Sequence, residues 1–241
     1  MEDFIVYIPI FFFAIVQSVF GLGLLVFGTP TFLLLGFDFL DTLTYLIPAS
    51  VTISILQIID TKTDKPEISK SLYILCLPGI AVGLYFAKSA AVGSYLDILI
   101  GLALILSAAV RQFANARSIL KTIIDRHAAV YHLVMGVAHG LTNLGGAFLT
   151  VFASSSFVLK EDIRYTIAFY YFCFGVIQLF MLAAVLGMGE QIIQHLPGAA
   201  VAAFVYFTFG KAIFLRASNP MFHGILTLFM FAYGVIILIR A

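Results

Sequence analysis

The sequence predicts an all-α polytopic membrane protein built from two inverted repeats, each a broken, re-entrant helical hairpin followed by three transmembrane helices. Three observations predict it. The 241 residues are 62% hydrophobic and 10% charged, with a mean hydropathy of +1.10, whereas soluble domains run nearer 45–50% apolar and about 25% charged. The apolar residues come in continuous runs, where a membrane β-barrel would alternate apolar with polar. Two of the apolar stretches are interrupted by glycine: Phe20-Gly-Leu-Gly-Leu-Leu-Val-Phe-Gly-Thr-Pro-Thr31 and His139-Gly-Leu-Thr-Asn-Leu-Gly-Gly-Ala-Phe148. Short hydrophobic segments broken at matching places in two halves are the strongest sequence pointer to the binding site of a transporter.

The first repeat takes residues 1–110. Met1-Glu-Asp3 is acidic where a cleaved signal would be basic, so the hairpin is expected at 4–36 as part of the folded protein. Spans follow at 42–59, 71–87 and 92–110, each close to the roughly 20 residues a bilayer core requires. Residues 111–127 form a basic linker. The second repeat, 128–241, places its hairpin at 128–158 and its spans at 165–186, 192–210 and 219–239. Asp41-Thr42, Asp162 and Ser218-Asn219-Pro220 offer helix-start chemistry, the last with a proline for the first turn. The two cysteines, Cys76 and Cys173, lie in apolar segments and read as buried thiols.

Charge decides whether each glycine-broken stretch crosses the bilayer or turns back, because Lys and Arg concentrate in cytoplasmic loops. With both stretches turning back, loops 60–70, 111–127, 160–164 and 211–216 share one side. They then hold eleven of the 13 Lys and Arg, leaving Lys88 and Arg240 opposite. With both stretches crossing, the division falls to eight against five. The hairpin reading is preferred, with those loops cytoplasmic and both termini non-cytoplasmic. Each half then carries an odd number of full spans, which inverts the second half relative to the first. A faint echo agrees: Asp41 to Gln57 and Asp162 to Gln178 both span 16 residues, each across an apolar helix.

Helix breaks at membrane depth are tolerated only where protein or water surrounds them. A helix restarting after such a break turns free N–H groups and its positive dipole end toward it. Gly28-Thr29-Pro30 and Gly145-Gly146 are expected to start those helices and to face one another near the midplane, making an anion site without fixed charge, since no Lys or Arg falls clearly within a span. The substrate-binding set is Gly21, Gly23, Gly28, Thr29, Pro30, Gln57, His139, Thr142, Asn143, Gly145, Gly146 and Gln178. Gln17, Ser18, Thr31, Ser50, Thr52, Ser54, Thr150, Tyr170 and Tyr171 could also line it, although Ser and Thr in membrane helices commonly serve packing. The amides are costlier to bury and point more strongly to function. His139 could titrate near neutral pH and carry protons as a coupling ion; the alternative is a neutral histidine bonded to a freed carbonyl.

Enzyme signatures are missing from the sequence: it has no His-Glu-x-x-His, no Gly-x-Ser-x-Gly and no phosphate-binding loop. No cofactor, metal or nucleic acid is expected; the partners are a small anion and the lipid bilayer. A channel of the same architecture, or a membrane subunit that does not transport, are the alternatives.

Gly21-Leu-Gly23, Gly28-Thr-Pro30, Leu33-Leu-Leu-Gly36 and Pro48-Ala-Ser-Val51, with the second break Gly140…Gly145-Gly146, together resemble the sulfite exporter TauE/SafE family. The resemblance spans the chain and departs at Ala147, where the family usually has proline. It implies an inner-membrane permease, chiefly of bacteria or archaea, that exports or sometimes takes up small sulfur-containing anions such as sulfite, sulfonates or sulfoacetate.

Overall fold

The protein is described here by a computed structural model covering residues 6–62, 64–87 and 93–240, in which every regular element is helical. The acidic start and the break at 88–92 lie outside the described residues. Four helices are long and apolar enough to cross a bilayer: α3 (Phe39–Asp60), α9 (Lys160–Val185), α11 (Pro197–Arg216) and α12 (Asn219–Arg240). Four others, α1 (Tyr7–Phe20), α2 (Leu24–Leu34), α4 (Leu72–Ala87) and α7 (Ala128–Thr142), are apolar but shorter. The remainder are α5 (Gly93–Gln112), α6 (Ala114–Arg126), α8 (Gly145–Ser156) and the single turn and a half of α10 (Gly189–Gln194). This is an all-α polytopic membrane protein.

Both glycine-broken stretches double back on themselves. In the first, the chain leaves α1 at Gly21 and α2 runs back beside it: Leu24 N donates to Gln17 Oε1 at 3.2 Å, and the Phe13 and Phe27 rings lie 6.3 Å apart. A Cβ at Gly23 would lie 2.5 Å from Gln17 N, so only glycine lets the returning chain approach the α1 backbone this closely. In the second, Tyr131 Oη on α7 donates to Phe148 O on α8 at 2.7 Å, and Gly145 lies against the His139 side chain.

The helices pack reciprocally. Helix α4 of the first half lies on hairpin helix α7 of the second, and α11 of the second lies on hairpin helix α1 of the first, while α3 pairs with α9 and α5 with α12. The α4–α7 contact is made through Gly79 and Gly83 on one side and Gly136 and Gly140 on the other. A Cβ at Gly140 would strike Ile80 O, and one at Gly83 would strike Val137 O. Small residues four apart let backbones touch, which is how helices adhere where lipid removes the hydrophobic drive. Helices α3 and α9 form the centre, with 61% and 56% of their apolar windows buried, against 33% and 28% for α11 and α12.

Several expected helix starts move. Helix α3 begins at Phe39 with Asp41 in its first turn, and α9 at Lys160 with Asp162 in its first turn, so neither Asp41 nor Asp162 is an N-cap. The α9 start is served from outside: Asn219 Oδ1 accepts from Lys160 N at 3.0 Å. Two helices widen into a five-residue π-turn two residues before a proline, Leu24–Gly28 before Pro30 and Leu72–Cys76 before Pro78. A proline ring cannot donate to the carbonyl four residues back and crowds it, and the wider turn relieves both. Gly28, Thr29 and Pro30 therefore lie inside α2, one turn past its start, and do not begin it.

Candidate functional site

Helices α1 and α7 end alike. Gly21 and Asn143 both adopt left-handed backbone, with φ of 83° and 61°, and each N–H closes the helix on the carbonyl four residues back, Gln17 O at 2.8 Å and His139 O at 2.7 Å. Glycine and asparagine are the residues that take this conformation readily. Two residues on, Gly23 and Gly145 pack against Gln17 and His139 respectively. The matching pair of breaks is thus Gly21-Leu-Gly23 with Asn143-Leu-Gly145, which displaces the expected match of Gly28-Thr-Pro30 with Gly145-Gly146.

The glutamines at equal spacing serve these breaks. Gln57 Nε2 on α3 donates to Gln17 O at 2.7 Å and Ser18 O at 3.0 Å, holding the end of α1. Gln17 Nε2 in turn donates to Ser50 O and Ser50 Oγ, at 3.0 and 2.9 Å, and Ser54 Oγ lies 3.4 Å away. On the other side Gln178 Nε2 of α9 donates to Asn143 Oδ1 at 3.2 Å, and Gln178 Oε1 accepts from His139 Nε2 at 3.3 Å. Asn143 Nδ2 donates to Thr29 Oγ1 at 2.7 Å, joining the two hairpins directly. Gly146 lies so close to Tyr171 Oη and to Val26 of α2 that a Cβ there would overlap both.

The tips pass one another and do not meet head to head. Gly21 lies against Arg164 O and Ile167 near the start of α9, whereas Asn143 meets Gln178, roughly three turns (~17 Å) further along the same helix. Two polar clusters result, one around Gln17, Ser50, Ser54 and Gln57, the other around Thr29, His139, Asn143, Tyr171 and Gln178. Thr29, Gln57, His139, Asn143 and Gln178 are fully buried. Gly28 packs on Leu46, Pro30 shapes α2, and Thr142 Oγ1 serves the turn by donating to Ala138 O and accepting from Leu144 N. These three belong to neither cluster. Of the other candidates, Thr31, Thr52 and Thr150 bond carbonyls four residues back, and His132 bonds Tyr170 Oη at 2.9 Å. His195 and His223 make their own bonds elsewhere, to Thr44 and to Arg111.

Among the described residues both clusters retain buried polar atoms with no hydrogen-bond partner: Gln57 Oε1 and Arg164 Nε at the first, His139 Nδ1 and Tyr171 Oη at the second. Buried polar groups are ordinarily satisfied, and a cluster of exceptions marks a place where water or a ligand completes the bonding. Arg164 itself was missed by sequence reading, which placed it in a polar loop. It stands in the first turn and a half of α9 and is 5% exposed, as is Arg111 of α5, while Lys160 is 8% exposed. The expectation that no Lys or Arg falls clearly within a span meets an exception in Arg164, which stands inside α9, one of the four helices long and apolar enough to cross a bilayer. Its signal was present in the run Ile163-Arg164-…-Ile167-Ala168, where Arg164 shares the helix face that buries Ile163 and Ile167.

A family model described as Sulfite exporter TauE/SafE matches residues 7–237. No curated protein and no solved structure matches the chain. The matched region takes in both hairpins and the helices that hold them, from α1 into the last turn of α12, and the chain belongs to the sulfite exporter TauE/SafE family of membrane transporters.

Proposed function

We propose that the protein is a secondary transporter that exports a small sulfur-containing anion, sulfite or a sulfonate, by alternating access. The observation that carries this reading is the second polar cluster. Thr29, one turn into α2, is tied to Asn143, which caps α7 just ahead of α8, and beside them His139 Nδ1 and Tyr171 Oη are buried without partners. An anion seated there would meet the N-terminal turn of α8, with its N–H groups and dipole oriented toward it, and the Thr29 hydroxyl of α2 beside it. Gly145 and Gly146 let His139 and Tyr171 close directly on the start of α8. The binding set is Thr29, His139, Asn143, Gly145, Gly146 and Gln178, with Gly21, Gly23 and Gln57 holding the first tip. Full burial of these residues suits the occluded stage of a carrier cycle.

The two hairpin units are proposed as inverted repeats, 1–110 and 128–241, related by an axis in the membrane plane. The matched left-handed caps, the matched glutamines and the reciprocal α4–α7 and α1–α11 packing support this. Loops 60–70, 111–127, 160–164 and 211–216 then face the cytoplasm of an inner membrane, with the termini opposite. Protons are the proposed coupling ion, through His139.

The test is uptake of radiolabelled sulfite into proteoliposomes holding the purified chain. Saturable uptake, accelerated by unlabelled sulfite preloaded inside, is expected of a carrier. Flux that rises linearly with concentration and shows no such acceleration would contradict alternating access and favour a pore.

A further inference from the structure

A cavity of about 240 Å³ opens at the end of the molecule where α3 stops and α9 starts. Asp60, Lys62, Glu161, Arg164 and Lys211 line it together with Phe214. The charges in it are not evenly matched. Asp60 is held by Lys211 at 2.8 Å and accepts from Tyr206 Oη at 2.9 Å, and Glu161 lies 3.7 Å from Lys160. Among the described residues neither Arg164 nor Lys62 reaches a carboxylate within 4 Å.

Arg164 sits at the inner wall. Its guanidinium stacks on the Phe214 ring, 3.4 Å from the centroid, and Nη1 donates to Ser18 O at 3.4 Å. Its Nε is buried with no partner, although the residue is 5% exposed. Arg164 also bonds the Tyr206 hydroxyl and feels Asp60 and Glu161 nearby, so of its donors Nε is the one left buried without a partner. A guanidinium fork matches an oxyanion through two parallel N–H bonds. Ser18 is two residues short of the end of α1, so this cavity abuts the first hairpin tip.

We infer that this cavity is an anion-loading site, in which Arg164 takes a small oxyanion from solution and Lys62 raises its local concentration before the anion reaches the hairpins. The inference rests on the transport reading, and its ligand class is a free sulfur oxyanion, recognised by charge and by the fork of Arg164. The site commits to a small free anion and not a lipid phosphate because Arg164 is only 5% exposed and stacked against the Phe214 ring, which leaves room for a small oxyanion and little for a headgroup.

The experiment titrates sulfite against the purified full-length chain by thermal denaturation and, in parallel, measures initial sulfite uptake in proteoliposomes. Wild type is compared with Arg164→Gln, Arg164→Lys and Lys62→Gln. Arg164→Gln is expected to raise the half-saturating sulfite concentration at least tenfold in both assays, with Arg164→Lys, which keeps the charge and loses the fork, recovering only part of it. Exposed Lys62→Gln is expected to raise it about threefold at low ionic strength and to flatten its salt dependence, since long-range attraction is what salt screens. Wild-type half-saturation in Arg164→Gln, beside intact wild-type uptake, would overturn the loading site and leave transport standing. Sulfite binding that depends on Arg164 in a protein that moves none would do the reverse. Should Arg164→Gln fail to fold, an unchanged salt dependence in Lys62→Gln overturns the site. Stabilisation by phosphatidylglycerol vesicles but not by sulfite would also overturn it, assigning the cavity to a lipid headgroup.

Discussion

Three demands fall on Asn143: a left-handed backbone, a bond to Thr29 across the hairpins and a bond from Gln178. Glycine satisfies the first alone, so Asn143→Gly separates them. Uptake is expected to fall more than tenfold, while stability falls by about 1–2 kcal/mol for the hydrogen bonds lost. Asn143→Ala adds backbone strain and should denature at a lower temperature than Asn143→Gly; the two melting curves check this. Gly146→Ala places a methyl against Tyr171 Oη and Val26, and overpacking of this kind costs about 1–3 kcal/mol. It should reduce sulfite-dependent stabilisation even where the chain still folds. At His139 the prediction concerns pH. If it carries the coupling proton, His139→Gln transports with a flattened pH profile, and retention of the full wild-type profile removes it from that role. Individual polar residues were legible as chemistry, since amides and a histidine beside a break are costly without purpose. Their partners were not. Nothing in the spacing says that Thr29 would meet Asn143, because that contact depends on how far two hairpins overlap.

Elements were easier to read than their ends. The apolar runs 42–59 and 219–239 fall within α3 and α12, and 165–186 overruns the end of α9 by one residue, whereas 192–210 starts in α10 and crosses a break before α11; length and continuous hydropathy are set by the bilayer. The N-caps expected at Asp41 and Asp162 lie three residues earlier, at Asp38 and Leu159, and α9 takes its capping bond from Asn219 of another helix, which no local pattern encodes. The break in α1–α2 was placed by glycine and proline together, yet the two act separately: Gly21 and Gly23 make the turn, while Pro30 widens the helix after it. The glycine contact between α4 and α7 also escaped notice, although Gly79, Gly83, Gly136 and Gly140 keep four-residue spacing. Its consequence is testable. Gly140→Ala drives a methyl into the α4 backbone at Ile80 O and should lower the melting temperature by several degrees. A substitution at Gly36, where a Cβ meets nothing, serves as the control for a glycine lost without a helix contact, though its left-handed φ adds some strain of its own.

At the scale of the whole molecule, two hairpins enter a helix bundle and overlap, so that both hairpin tips lie against one central helix, α9, at different positions along it. Fold class and family were legible because composition, broken stretches and glycine motifs all point one way. The offset between the clusters, and the buried Arg164 beneath the first, required the packed structure, since burial of a cation at a helix start depends on Phe214 and Ser18 from distant parts of the chain. The central claim is that a sulfur anion binds where the hairpins cross. It is tested most directly by thermal denaturation of the purified chain with sulfite, sulfate, thiosulfate, sulfoacetate, taurine and acetate, in wild type and Asn143→Gly. A ligand at a hundred times its dissociation constant stabilises by about 2.7 kcal/mol, a shift of several degrees for a chain this size. The account predicts that shift for at least one sulfur anion in wild type and its loss in Asn143→Gly. An equal shift in both proteins, or none from any sulfur anion, would contradict it.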